Sequence, residues 1–160
     1  MAVFDNDATL FRAAYVKSPV TEGNDAAACV AMAVAVTGWV MGLRVVPWDA
    51  RHTLVVEWPR VLSASRQRAA KRDVDQNDLL GLVGVDCAVA MAYHESMDLV
   101  TVYPDEWKGQ VPKKIMNERV WARLSSEEQE NVTKKDHNVL DAVGIGLHQL
   151  GRLARHRFLG

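Results

Sequence analysis

Short apolar runs closed by turn residues alternate with two long apolar stretches along this chain, and the alternation predicts its elements. VFDNDATLFRAAYV predicts a hairpin, with an apolar start, the turn residues Asp5, Asn6 and Asp7, and a return strand from Leu10 to Val16. Pro19 to Gly23 reads as a loop. Asn24 or Asp25 is placed to cap a long helix that runs to about Leu43, ahead of Pro47. His52 to Glu57 reads as a strand, and the polar stretch from Ser63 to Gln76 as a loop or helix start. Asn77 then caps a second apolar helix, DLLGLVGVDCAVAMAYH. Leu99 to Tyr103 is a short strand stopped by Pro104. EWKGQVPKKIMNERVWARL reads as a loop leading into a helix that ends near Leu124. In the polar segment SSEEQENVTKKD, Ser125 or Ser126 and Glu128 or Glu130 have the spacing of a helix-start capping box. HNVLDAVGIGLHQLGRLARHRF reads as the last helix.

A hairpin followed by alternating helices and strands and then two helices predicts an α/β fold, with a mixed sheet covered by helices on both faces. At 160 residues and 49% hydrophobic, the chain fits one compact domain over residues 1–160. Residues 26 to 43 are free of charge, about the length of the shortest membrane span. Their Ala, Gly and Thr37 content suits a helix packed closely on a sheet better than one in lipid, so no membrane association is expected. Cys29 and Cys87 show neither disulfide nor zinc-ligand spacing, which points to a reducing, cytoplasmic setting. Asp5 and Asp7 stand where a signal peptide would be basic or apolar.

A net charge of −1 and a pI near 6.5 exclude a generic nucleic-acid coat, so any DNA contact must come from local clusters. Two exist: Arg66, Arg68, Lys71 and Arg72 in SRQRAAKR, and Arg152, Arg155 and Arg157 near the C-terminus. A solvated helix face or tail explains each of them equally well.

Two carboxylates interrupt apolar patterns. Glu57 ends the run LVVE, whose other residues suit a strand covered on both faces, and a buried unpaired glutamate is costly. Asp141 breaks the apolar face of Leu140, Val143, Leu147 and Leu150, with His137 four residues before it and His148 seven after. Gly144 and Gly146 flank that side at about 1 kcal/mol each in helix propensity, as expected where a helix lies close to a sheet. If Asp141 reaches the tip of the Glu57 strand, the two carboxylates suit a hard divalent cation. A helix-dipole role for Asp141, with His137 a neighbour of the cap, accounts for the same spacing.

Taken in order, the opening hairpin, the strand ending in Glu57, QNDLLGLVGVDCAVA, VYPDEWKGQVPK and DHNVLDAVGIGL span most of the chain. This ordered set resembles the RuvC-type Holliday-junction resolvases of the ribonuclease-H-like nuclease superfamily, and among them the compact phage and bacterial relatives. The resemblance implies a ribonuclease-H-like mixed sheet and a homodimer that cuts branched DNA, four-way junctions in particular, by paired phosphodiester hydrolysis with Mg2+ or Mn2+. It gives Glu57 and Asp141 as metal ligands, with His137 or Asn138 near a further acidic or histidine position. In such sites two ions about 4 Å apart activate a water and stabilise the leaving oxygen. Glu57 would then end a buried strand because a rigid sheet fixes its carboxylate at an edge that faces metal and DNA. Arg66, Arg68, Lys71, Arg72, Lys108 and Lys113 are the expected phosphate contacts, and Trp107 is a candidate wedge against an unstacked base or an ordinary packing residue.

The pattern departs from the family at the N-terminus. Family members begin with a core strand that ends in Asp followed closely by Gly, and MAVFDNDATLF instead resembles the second strand and its turn into the third. Either a first core strand lies ahead of Met1, or the opening segment is that strand with Asp5 or Asp7 as the ligand. As a third alternative, the chain is a catalytically inactive module that binds DNA or dimerises through the apolar helix from Asp25 to Leu43.

Overall fold

The computed structural model describes residues 1–17, 25–43, 52–58, 76–93 and 97–153. They fall into two compact units: Met1–Tyr15 with Pro104–Gly160, and Val16–Tyr103.

In the first unit, β1 (Ala2–Phe4) and β2 (Leu10–Ala13) pair antiparallel, with a register shift between Val3 and Phe4. Asp5 builds the turn between them, because its Oδ1 accepts the backbone N–H of Asp7 at 3.0 Å and of Thr9 at 2.9 Å. Ala8 sits in the left-handed region at φ 61°, a conformation uncommon for a residue with a Cβ. The return strand stops at Ala13, three residues short of Val16. There the chain changes partners: the Ala13 N–H bonds the Asn131 carbonyl, and the Ala13 carbonyl accepts from the Thr133 N–H.

Four helices complete this unit: α3 (Pro104–Trp107), α4 (Lys113–Ala122), α5 (Ser126–Glu130) and α6 (His137–Gln149). Their core is made by Leu10, Val120, Val139, Val143 and Leu147, each with under 2% of its surface exposed. The Ser125–Glu128 capping box expected at the start of α5 is present in both directions. Helix α6 ends earlier than its apolar pattern predicts. Leu150 is the cap, Gly151 turns left-handed at φ 70°, and the N–H groups of Gly151 and Arg152 bond the carbonyls of His148 and Leu147. This is the paired-bond helix stop that a glycine after the cap favours.

In the second unit, β3 (His52–Glu57) and β4 (Met97–Val102) pair parallel and in register, from His52 opposite Met97 to Glu57 opposite Val102. Parallel strands need a long crossover, supplied by α2 (Gln76–Tyr93). Helix α2 starts at Gln76, so Asn77 lies in its first turn rather than at its cap. It packs on α1 (Asp25–Gly42) through small residues: a Cβ on Gly84 would stand 2.9 Å from Cys29 Sγ, and that thiol donates to the Gly81 carbonyl at 3.4 Å. Helix α1 is apolar all round. Ala33, Val36 and Val40 are buried, whereas Val30, Val34 and Met41 are exposed. No helix among the described residues is long and apolar enough to cross a membrane, and both cysteines are free.

The α/β class holds, and the single mixed sheet does not. The described strands form two sheets of two strands each, one antiparallel and one parallel. Making one sheet of them requires a further strand able to pair with both, and none of the described residues forms one.

Candidate functional site

The two carboxylates singled out by the sequence stand in different units, Glu57 in the second and Asp141 in the first.

Glu57 is the last residue of β3 and half-buried. The ladder continues one step past it, with the Trp58 N–H donating to the Val102 carbonyl at 2.9 Å, so the backbone at Glu57 is held on both sides. Its acidic neighbour is Asp86, in the middle of α2. Burial, and then the negative charge of Glu57, push the Asp86 carboxyl up to about 6. Asp86 was not among the residues that sequence reasoning picked out. The signal was available, since Asp86 is the one charged residue between Asp78 and His94, as Asp141 is an acid in an apolar helix face.

In the first unit, the start of α6 gathers charge. Asp136 is the N-cap, its Oδ1 accepting from the Asn138 N–H at 2.9 Å. That hydrogen bond, followed by the nearby His137, Lys134 and Lys113, holds its carboxyl below the usual aspartate range. His137 Nδ1 lies 3.9 Å from Asp136 Oδ1, and Lys134 Nζ 3.8 Å from Asp136 Oδ2. His137 thus stands beside the capping carboxylate, exposed, in the place the helix-cap explanation gives it. Asp141 follows one turn on, half-buried, with Lys113 Nζ from the first residue of α4 at 3.7 Å from its Oδ2. The rest of that helix face is apolar and buried, as expected, except Leu150, which is exposed. The two glycines do allow close approach. A Cβ on Gly144 would fall 2.5 Å from Trp107 Cζ3, and one on Gly146 would run into the Phe4 ring. The surface approached by Gly144 is a helix and a buried indole rather than a sheet; Gly146 meets a side chain of β1.

The basic residues divide. Lys113 is engaged by Asp141. Lys108 places its ammonium 4.8 Å over the Trp107 ring. Trp107 itself is 5% exposed and packs under α6, so it is a packing residue, unavailable as a wedge between bases. Arg152 is drawn inward to Glu128, with Nη1 to Oε1 at 2.6 Å and Nη2 to Oε2 at 2.8 Å, and so leaves the basic C-terminal cluster. Arg66, Arg68, Lys71 and Arg72 lie outside the described residues, as do Arg155 and Arg157.

As a test of fit for Mg2+ or Mn2+, the donors are right in kind: carboxylate oxygens suit hard cations. In number, no three His, Cys, Asp or Glu side chains gather into a metal cluster among the described residues. The second unit offers Glu57 with Asp86, and the first offers Asp141 with a lysine ammonium against it. Asp5, an alternative third ligand from the sequence, has one carboxylate oxygen committed to its own turn. No protein-family model, curated protein sequence or solved structure matches the chain.

Proposed function

We propose that the chain is a metal-dependent endonuclease domain acting on branched DNA, in the manner of the RuvC-type resolvases its ordered motifs resemble. The observation that carries this reading is Glu57. It stands at the end of an otherwise apolar strand, fixed by the ladder on either side, with a second carboxylate, Asp86, set against it rather than a basic partner. A self-repelling acidic pair at a rigid strand end weakens the fold and suits a cation site.

In this reading Glu57 and Asp141 hold Mg2+ or Mn2+, and Asp86 supports Glu57 from the helix behind it. The bound metal supplies an activated water and charge neutralisation at the scissile phosphate. His137, at the exposed start of α6, lies near the acid that caps the helix. It is placed to exchange a proton with solvent or with the leaving oxygen. Lys108 and the basic loop Arg66, Arg68, Lys71 and Arg72 hold phosphates, an attraction that weakens as salt rises. The homodimer of this reading cuts two strands of one junction.

The test is incubation with a synthetic four-way junction and Mg2+ or Mn2+, beside a linear duplex of the same sequence. Paired nicks in the junction alone, lost in Glu57→Gln and in Asp141→Asn, are the expected result. Cleavage that survives both substitutions sinks the assignment.

A second reading has its own observation. Among the described residues no three metal-ligating side chains cluster, while α1 presents Val30, Val34 and Met41 at 59%, 67% and 52% exposure. A non-catalytic module that dimerises through α1 and binds DNA would look the same, and it predicts junction binding with no nicks under either metal.

A further inference from the structure

We propose that Lys113 is a built-in competitor for the metal at Asp141: its ammonium holds the carboxylate in the absence of a divalent cation and leaves when one binds. The inference rests on the reading of Asp141 as a metal ligand and adds to it a regulation of that same site.

The geometry starts from the packing of α4 on α6. Lys113 is the first residue of α4, where the backbone is set by Pro112, and its Nζ lies 3.7 Å from Asp141 Oδ2. The Asp141 side chain is 21% exposed and that of Lys113 is 56% exposed. One partner is thus fixed and mostly covered, and the other is a long, mobile stem in water. The reach of Lys113 does not end at Asp141, since its charge also contributes to holding Asp136 ionised at the helix cap. It is therefore the cation shared by the acids at the start of α6.

An ammonium donates hydrogen bonds and has no lone pair, so it cannot coordinate a metal. Where Lys113 stands against Asp141 it occupies an oxygen that a cation needs, and where both are present they repel. The flexible stem offers the way out, because four rotatable methylenes can carry the charge into solvent or onto a phosphate while α4 stays in place. An exposed pair of this kind is weak, typically under about 1 kcal/mol, and it sets the scale of the competition. Removing the lysine charge should tighten a divalent cation by roughly three- to tenfold, with the upper end reflecting the double charge of the metal.

The experiment titrates the full chain with Mn2+ alone, reading free Mn2+ by electron paramagnetic resonance, so that no catalytic turnover is involved. Lys113→Gln should bind roughly three- to tenfold more tightly than the natural chain and Lys113→Arg within about twofold of it. Lys114→Gln removes the same charge from the adjacent residue, which points elsewhere on the helix, and should leave the affinity unchanged. Asp141→Asn should lose the site. If Lys113→Gln binds no more tightly, or Lys114→Gln tightens binding as much, while Asp141→Asn still loses the site, the competition is overturned and the metal reading stands. If Asp141→Asn binds Mn2+ like the natural chain, or the natural chain binds none, the metal reading of Asp141 itself fails and takes the competition with it.

Discussion

Replacing Arg152 with Met should destabilise the first unit by about 3 kcal/mol, the lower end of the cost of stranding one partner of a buried pair. The reason is Glu128, whose side chain is 3% exposed. Its carboxylate accepts from both Arg152 nitrogens, from the Leu10 N–H at 2.8 Å and from the Ser125 N–H at 2.8 Å. Arg152 in turn donates to the Ala8 carbonyl at 2.5 Å and the Arg123 carbonyl at 3.2 Å, so one ion pair joins the hairpin turn, β2, α4, α5 and the end of α6. The hydrogen bonds from Arg152 lead the causes that pull the Glu128 carboxyl from 4.5 down to about 2. The backbone donors of Leu10 and Ser125 add to them, and burial opposes. At about 1.4 kcal/mol per pH unit, that depression is worth about 3 kcal/mol at neutral pH. Because the folded value lies below the unfolded one, the contribution is complete above about pH 5. It fades as pH falls from 4.5 toward 2 and is gone below that. The assay is urea denaturation at pH 7 and pH 3.5 followed by tryptophan fluorescence, with hydrogen exchange at the Leu10 amide as the local readout. Arg152→Met should lower stability at pH 7 and flatten its fall in acid. The double variant Glu128→Gln with Arg152→Met should lose less than the sum of the single variants by about 2 kcal/mol. A loss below about 0.5 kcal/mol in Arg152→Met, with Leu10 exchange unchanged, would refute the reasoning.

Two further substitutions test packing and charge. Gly144→Ala gains about 1 kcal/mol in helix propensity but drives a methyl group into the buried ring of Trp107 and against Val120. A net loss of about 1–2 kcal/mol is expected, with a shift in indole fluorescence; a stabilised variant would mean that the ring yields freely. Asp86→Asn acts in the opposite direction. The Asp86 carboxyl titrates at about 6 in the fold, above its unfolded value, so the native state loses stability as pH rises from about 4 through 6. Its amide replacement should therefore be more stable than the natural chain at pH 7, by about 1–2 kcal/mol after allowance for solvent screening. It should show no advantage at pH 4 by thermal melting, and an equal or lower melting temperature at pH 7 would count against the pairing with Glu57.

Local signals in the sequence carried much of the fold. The strand His52 to Glu57 has the predicted boundaries because its apolar run is closed by Trp58 and Pro59, and the Ser125–Glu128 box was readable from its spacing alone. What local pattern cannot convey is pairing. The hairpin and the parallel pair were legible as strands, but whether they share a sheet depends on a strand that no described residue supplies. The end of α6 was missed because Leu150, Leu153 and the arginines continue a helical pattern, while a single residue, Gly151, breaks it by turning left-handed. Arg152 misled for a related reason. In sequence it belongs to a basic cluster, and only the turn at Gly151 and the distant Glu128 show that its charge is spent inside the fold.

The site was legible only in part, and the contrast between Glu128 and Asp86 explains why. Both are acids placed among apolar neighbours, and nothing in their local sequence tells them apart. Glu128 meets an arginine and two backbone N–H groups, so its charge is welcomed and its carboxyl falls to about 2. Asp86 meets burial and the charge of Glu57, so its carboxyl rises to about 6. The first arrangement stabilises the fold, and needs no further explanation. The second weakens it at neutral pH, and a fold under selection for stability alone would replace Asp86 with Asn or an apolar residue. An acid retained against its own fold is where function is most economically sought. In this chain that argument leads through Asp86 back to Glu57, the carboxylate at the end of a strand.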